Sequence, residues 1–255
     1  MKKLIVTADD FGYTQAINEG IVRAATNGII TDIAVMVLTD DQDLNHGLAL
    51  LKENQLTSVG LHTSLFHWGK SERPQRQDFI EFFRDASDAT IKAKAMAEIA
   101  IFEQKLGKQP DFISPQYNIH GNLRLLRVLA DYVVEHKIPM RIPRAVLTKD
   151  EIEDKNYAAE VYLKRLGVKM TDHLFAHILG SSATENIALF RRELALVKDN
   201  ESTEIIFHPG YNDVETFESS SLNFERTRDL AITLDQNFAI EIKKLGFTLT
   251  NMAKL

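Results

Sequence analysis

The stretch that decides the fold is Leu4-Ile-Val-Thr-Ala-Asp-Asp-Phe-Gly-Tyr13, close to the start of the chain. Its first half, Leu4–Ala8, is a short apolar run rich in β-branched residues, which is typical of a parallel strand buried on both faces. Two carboxylates, Asp9 and Asp10, follow directly, and Gly12 then allows the backbone to turn. The stretch predicts a buried strand that ends in a pair of acidic side chains.

Strand-like and helix-like segments alternate outward from this stretch to the end of the chain. Further strands are predicted at Ile29–Leu38, Val59–Leu61, Phe112–Ser114, Met140–Ile142, His173–Ala176, Glu204–Phe207 and Phe247–Leu249. Helices are predicted at Gln15–Asn27, Asp43–Glu53, Ala89–Leu106, Leu123–His136, Glu151–Leu166, Asn186–Val197 and, as one helix or two, Phe224–Leu245. The charged segment Gly69–Asp78, which contains Pro74, is predicted to be a long loop.

Seven or eight such β/α units with short connections imply parallel strands joined by right-handed crossovers. We expect residues 1–255 to form a single domain with a (β/α) barrel-like fold that is closed or nearly closed, with distortion or incomplete closure as a variant of it. An open doubly wound sheet is the alternative. The length of 255 residues suits one α/β barrel.

Composition limits the chemistry and the partners. The chain has no cysteine, so any metal must be bound by His, Asp, Glu or amide side chains. The net charge of −6 argues against a nucleic-acid partner. The few apolar residues before Asp9 are fewer than a signal peptide needs. No run approaches the roughly 18 apolar residues of a membrane helix. We therefore expect a cytoplasmic protein without a membrane partner.

Polar side chains cluster just after the predicted strands. They are Asp9, Asp10, His62, Gln116, Asn118, His120, Arg141 and His208. In a parallel barrel the carboxyl ends of the strands open on one face, where such enzymes place their active sites. Residues far apart in the sequence are therefore expected to converge there.

The Asp9–Asp10 pair has a structural explanation as well as a functional one. An aspartate that caps the following helix would account for one carboxylate. It would not account for two directly after an apolar strand, because neighbouring strand side chains point to opposite faces. The pair can share a site only where the backbone turns, and this favours a functional role.

The histidines and the single tryptophan also allow two interpretations. His62 lies inside an apolar strand, where alone it would be more typical of a buried, hydrogen-bonded histidine. His208 precedes Pro209-Gly210, a turn that would present the imidazole at the rim of a pocket. Trp68, next to His67, could stack on a sugar ring or pack within a loop.

At these residues the sequence resembles the YdjC-like carbohydrate deacetylases over nearly its full length. The opening Leu4–Tyr13 stretch is the most specific part of the resemblance. It is followed in the family's order by Gly60-Leu-His62, Asn118-Ile-His-Gly121, Arg141-Ile-Pro143 and His208-Pro-Gly210. The resemblance implies a metal-dependent hydrolase that removes an acetyl group from an N-acetylated sugar. Asp10 and His62 would bind a divalent ion, Asp9 would be the base, and His208 would lie in the site.

The segment Ser114-Pro-Gln-Tyr-Asn-Ile-His120 departs from the family's pattern, in which an aspartate and a ligand histidine stand where Ser114 and Gln116 are found. An amide oxygen is a harder ligand than imidazole, so Mg²⁺ is expected, with Mn²⁺ or Zn²⁺ as alternatives. Gln116 is the third ligand, or His120 takes that role, or the site no longer binds metal.

The mechanism implied is hydrolytic. An ion would polarise the acetamide and activate a water, Asp9 would accept a proton, and His208 would stabilise the oxyanion or protonate the amine. Trp68, Asn118 and Arg141 are expected to contact the sugar. The expected partners are a small carbohydrate and, at most, a second copy of the chain in a homodimer.

Two alternatives come from other functional classes. A metal-dependent phosphoesterase would use similar ligands but more cationic side chains than Arg141 and Arg144. A sugar-binding or regulatory protein would have kept the pocket and lost catalysis through Gln116.

Overall fold

A computed structural model describes residues 1–70, 73–143, 153–178 and 182–255. Six strands form one parallel sheet in the order β3-β2-β1-β5-β4, and β6 pairs with the first residues of β1. The strands are β1 (Lys2–Phe11), β2 (Asp32–Val35), β3 (Val59–Leu61), β4 (His173–Phe175), β5 (Ser202–Phe207) and β6 (Phe247–Leu249). The prediction of a single α/β domain with parallel strands is confirmed at the level of the fold class.

The predicted strand Ile29–Leu38 is limited to the four residues of β2, and two other predicted strands are reduced to single bridge residues. Phe112–Ser114 and Met140–Ile142 contribute one bridge residue each, Ile113 beside Leu61 and Met140 beside Ile113, which extend the sheet beyond β3. The gap between Met140 and β4 is crossed by a backbone hydrogen bond of 3.0 Å, from the Met140 amide to the Lys169 carbonyl. In the part of the chain that the structure describes, no ladder of strand pairing closes the barrel at this gap.

Ten α-helices are described around the sheet. They are α1 (Gln15–Asn27), α2 (Asp41–Glu53), α3 (Arg76–Asp85), α4 (Asp88–Leu106), α5 (Leu123–His136), α6 (Glu153–Arg165), α7 (Ala183–Leu196), α8 (Val214–Ser219), α9 (Phe224–Leu234) and α10 (Gln236–Lys244). Short 3₁₀ helices lie at Gln116–Gly121 and Met252–Lys254. The predicted Phe224–Leu245 segment is two helices, separated at Asp235, which caps α10.

The prediction of a loop over Gly69–Asp78 is wrong at its C-terminal end, because α3 begins at Arg76. A capping box between Gln75 and Asp78 starts this helix, and Phe79 is buried on its inner face. Residues 151–152 of the predicted helix Glu151–Leu166, and Arg144, lie outside the described residues. None of the described helices is long and apolar enough to cross a membrane.

The core lies inside the sheet and between the sheet and the helices. All six residues of β5 are buried, as are residues 4–11 of β1, which agrees with strands covered on both faces. Charged residues are also buried in this layer, among them Glu204 and Arg141, which are hydrogen-bonded to each other.

Candidate active site

A bulge at the end of β1 brings Asp9 and Asp10 to one cavity. The pairing of β1 with β2 shifts register between Ala8 and Phe11, and Asp10 adopts a left-handed backbone conformation with φ of 69°. The extra residue lets both carboxylates face the cavity instead of opposite sides of the sheet. Gly12 is required in the turn, because its φ is 98° and a Cβ there would lie 2.6 Å from the Met36 carbonyl oxygen.

Neither aspartate caps the first helix. The N-cap of α1 is Thr14, whose hydroxyl accepts the Ile17 amide at 3.2 Å. The structural explanation considered for the pair is therefore wrong.

Arg141 forms a buried, bidentate ion pair with Asp9. Arg141 Nη1 donates to Asp9 Oδ2 at 2.7 Å, and Nη2 donates to Oδ1 at 2.9 Å. The same guanidinium donates to Glu204 Oε1, which also accepts from the Thr7 hydroxyl at 2.8 Å. Burial alone would raise the pKa of Asp9, but Arg141 and then His62 outweigh it and hold the pKa below its usual value. Asp9 is ionised at neutral pH.

Asp10 has a separate arginine. Arg226 Nη2, from α9, donates to Asp10 Oδ2 at 2.7 Å. Burial opposes ionisation, yet Arg226 and the nearby His62 lower the pKa of Asp10 far below its usual value. Its other oxygen, Oδ1, is buried, has no hydrogen-bond partner among the described residues, and lies 3.5 Å from His62 Nε2.

His62 stands between Ser114 and Gln116. Its Nδ1 lies 3.0 Å from Ser114 Oγ, and its Nε2 donates to Gln116 Oε1 at 2.6 Å. Burial by itself would lower the pKa of His62, but Asp9 and Asp10 outweigh burial and raise it. The ring is therefore oriented from both sides.

His120 has different contacts from those of His62. Its Nε2 donates to the Arg141 carbonyl oxygen at 3.0 Å, while Nδ1 is buried with no partner in the described part of the chain. Burial lowers the pKa of His120 to about 3, so the ring is neutral. Gln116, in contrast, reaches His62 directly.

His208 lines the cavity at the end of β5, as its position before Pro209 predicts. Its backbone amide donates to Asp229 Oδ2 at 2.9 Å, and its Nδ1 is buried without a partner. Arg228 donates to the other oxygen of Asp229 and also to the Ile178 carbonyl oxygen at 2.9 Å. The helix α9 is thus hydrogen-bonded both to His208 and to the segment after β4.

The cavity has a volume of about 490 Å³, within the range of sites for small ligands. Asp9, Asp10 and His208 lie among its lining residues, and Tyr13, Trp68 and Tyr117 form an aromatic wall. Trp68 packs edge-on against Tyr13, with 5.8 Å between ring centroids, and is only 3% exposed. Asn118 and Arg141 also line the cavity.

A family model described as YdjC-like protein matches residues 3–244. The chain belongs to this family. It is 27% identical over 239 residues to a carbohydrate deacetylase of Brevibacillus brevis, covering 90% of each chain. It is 22% identical to a chitooligosaccharide deacetylase of Proteus mirabilis, covering 96% of each. The fold matches a solved structure from Enterococcus faecalis, described as a cellobiose-phosphate cleavage protein, with a TM-score of 0.79, 22% identity and coverage of 99% and 98%.

The donor set of this YdjC-like protein fits a hard divalent ion. Asp10 Oδ1, His62 Nε2 and Gln116 Oε1 lie close together, while Arg226 and Ser114 hold the opposite ends of the first two side chains. Such support from behind is typical of metal ligands. Within the described ranges no three His, Asp or Glu side chains group as a metal site, so Gln116 would have to complete the set. An ion there must displace the Nε2 proton and compete with the His62–Gln116 hydrogen bond.

Sequence reasoning missed Arg226, Glu204 and the aromatic residues Tyr13 and Tyr117. Glu204 could have been identified from the sequence, because a charged residue within an apolar strand needs a buried partner. Arg226 left none, since it lies in an ordinary polar turn of a helix. Its pairing with Asp10, 216 positions earlier, depends on how α9 packs over the end of β1.

Proposed function

We propose that this chain hydrolyses the acetamide of an N-acetylated sugar, using one water and producing acetate and a free amine. The observation that carries the proposal is the ionised carboxylate of Asp9, fixed by Arg141 on a cavity that also holds Asp10 and His208 beneath an aromatic wall. The relatives named carbohydrate and chitooligosaccharide deacetylases support the same reaction and substrate class.

A divalent ion, Mg²⁺ in the first instance, is proposed to be held by Asp10, His62 and Gln116. Two oxygen donors and one nitrogen favour Mg²⁺ or Mn²⁺ over Zn²⁺. When bound, such an ion polarises a carbonyl oxygen and makes water more acidic. His120 is the alternative third ligand, because its buried Nδ1 has a free lone pair.

Asp9 is proposed to accept the proton of the attacking water. Its two hydrogen bonds from Arg141 fix the carboxylate, and each oxygen keeps a further lone pair. The lowered pKa makes Asp9 a weak base, so the water itself must be made acidic for the transfer to be efficient. His208 would donate to the developing oxyanion or protonate the departing amine.

Substrate contacts are proposed for Asn118 and Arg141, which line the cavity, whereas Trp68 also lines it but is only 3% exposed, too little to stack on the sugar. Trp68 supports the aromatic wall from within. Arg141 also positions Asp9, since most of its N–H groups are directed at Asp9 and Glu204.

A phosphoesterase is less well supported. Its pocket would need several cationic groups to bind phosphate, whereas two of the three arginines in the lining, Arg141 and Arg226, are each paired with an aspartate. The direct test is to incubate the purified protein with N-acetylglucosamine oligomers and with sugar phosphates. We expect release of acetate and not of phosphate, and the opposite result would replace this proposal with the phosphoesterase.

A further inference from the structure

We propose that Tyr117 is the residue on which the sugar ring stacks, and that it selects a pyranose ring with an apolar C–H face. This inference rests on the proposed function and adds a specificity-determining residue to it. It begins with the exposure of the three aromatic rings that line the cavity. Tyr13 and Trp68 are 4% and 3% exposed, whereas Tyr117 is 37% exposed. Of these rings, Tyr117 has the surface to receive a ligand.

The backbone at Tyr117 is strained. Tyr117 and Asn118 both have a φ of 51°, a left-handed conformation that is costly for a bulky residue such as tyrosine. Hydrogen bonds hold this turn, from the Gln116 amide to the Thr63 carbonyl at 2.9 Å and from the Asn118 amide to the Pro115 carbonyl at 3.1 Å. The strain places the Tyr117 side chain in the cavity wall directly beside Gln116.

Other aromatic rings fix the orientation of Tyr117. Phe79 packs perpendicular to it at 5.7 Å between centroids, and Trp68 lies at 6.0 Å with an interplanar angle of 54°. A buttressed ring loses little conformational entropy when a ligand binds, which is an advantage for a stacking platform. His177, Ile178 and Leu222 also line the cavity.

The position of Tyr117 also suits the reaction. Tyr117 lines the same cavity as Asp9, Asp10 and His208. A pyranose stacked on Tyr117 would therefore share this cavity with both carboxylates.

The test uses three variants and a sugar that cannot be deacetylated. Tyr117→Phe keeps the ring, and Tyr117→Asn removes it but tolerates the left-handed backbone. Phe217→Ala is the matched control, because Phe217 is 67% exposed and lies outside the cavity lining. The dissociation constant of the glucosamine dimer is measured by calorimetry, and KM and kcat are measured with its N-acetylated form.

We expect Tyr117→Phe and Phe217→Ala to bind within twofold of the parent protein. Tyr117→Asn should bind about tenfold more weakly, with KM rising more than kcat falls. Unchanged binding by Tyr117→Asn would overturn the stacking role and leave the deacetylase proposal standing. Failure of the parent protein to bind either sugar would overturn both.

A measurement on the parent protein covers the case in which Tyr117→Asn does not fold. Selective saturation of aromatic protons should transfer to the C–H protons of the bound sugar ring in an NMR experiment. Absence of that transfer would contradict stacking. Transfer without any acetate release would support stacking and count against hydrolysis.

Discussion

Asp9 and Asp10 are adjacent in the chain, yet they have separate electrostatic environments. Arg141 pairs with Asp9, Arg226 pairs with Asp10, and both carboxylates are ionised. A second carboxylate next to Asp9 would by itself raise the pKa of Asp9. In the structure, Arg141 offsets this effect by pairing with Asp9 and lowering its pKa. The two residues are therefore suited to different tasks, Asp9 to proton transfer and Asp10, through Oδ1, to binding a cation.

Gln116→His tests the proposed third ligand. Imidazole binds first-row divalent ions better than a neutral amide, so this substitution should tighten binding of Zn²⁺ by about tenfold to a hundredfold. Isothermal titration of the metal-free protein with Zn²⁺ and with Mn²⁺ measures the change.

His120→Ala is the companion variant. It should leave metal binding nearly unchanged, because His120 is directed at the Arg141 carbonyl oxygen. If His120→Ala abolishes binding and Gln116→His has no effect, His120 is the ligand. If neither the parent protein nor Gln116→His binds an ion, the proposed metal site is wrong.

Trp68→Ala tests the support of the aromatic wall. Trp68 is nearly fully buried against Tyr13 and Tyr117, so its loss should lower the melting temperature and let the wall relax. KM should rise more than kcat falls, as expected for lost binding that is uniform along the reaction. Steady-state kinetics at a temperature where the variant remains folded decides the matter. Equal losses in kcat and kcat/KM would place Trp68 in the chemistry.

At the scale of elements, strands and helices with a strong apolar pattern can be predicted from the sequence, whereas a helix that is marked only by a local capping motif is harder to predict. β1 and α1 lie where the apolar pattern put them, and α1 matches to the residue. The helix α3 was missed because its charged first turn looked like loop, although the Gln75–Asp78 capping box starts it. Phe112–Ser114 was assigned as a full strand, but only Ile113 pairs, since register depends on neighbours that the local sequence does not show.

The site was predictable where it follows strands and unpredictable where it depends on packing. Asp9, Asp10 and His208 line one cavity, as strand ends in a parallel sheet should. The position of Tyr117 could not be predicted, because it depends on a left-handed backbone at Tyr117 and Asn118. Neither residue is a glycine, the residue type that usually marks such a conformation in a sequence. Arg226 comes from a helix whose packing over β1 cannot be read from its own sequence.

Glu98 of α4 forms hydrogen bonds with the segment that follows β3. Its carboxylate is fully buried and accepts from the Ser64 amide at 2.7 Å, the Leu65 amide at 2.9 Å and the Ser64 hydroxyl. Burial raises the pKa of Glu98 from its usual 4.5 to about 7, in spite of these hydrogen bonds. This segment leads from His62 to Trp68, so Glu98 joins α4 to the segment that carries both residues.

Glu98→Gln tests the effect of that carboxyl on stability. Between pH 4.5 and 7 the folded state holds a proton on Glu98 that the unfolded state has lost, so this group's contribution to the free energy of unfolding falls as pH rises. The stability of the parent protein relative to Glu98→Gln should decrease by about 1 to 3 kcal/mol across that window and level off above pH 7. Urea denaturation at pH 5, 6, 7 and 8 measures it. A difference that is constant, or that increases with pH, would contradict the account.

At the scale of the whole molecule, the sheet brings together residues from across the chain. Asp9, His62, Arg141 and Glu204 meet because β1 is central, with β2 and β5 as neighbours. The helix α9 covers the same end and supplies Arg226 to Asp10 and Asp229 to His208. The site is therefore a property of the complete fold and not of any one segment.

The most direct test of the central claim is acetate release from N-acetylglucosamine oligomers by the parent protein and by Asp9→Asn. Each is assayed after chelation and again with Mg²⁺, Mn²⁺ or Zn²⁺ added, and circular dichroism confirms that the variant is folded. We expect the parent protein to release acetate with the ion and Asp9→Asn to be slower by about 10²-fold or more. Equal rates for the two folded proteins, or no acetate from the parent protein with any of the three ions, would contradict the assignment of this cavity to sugar deacetylation.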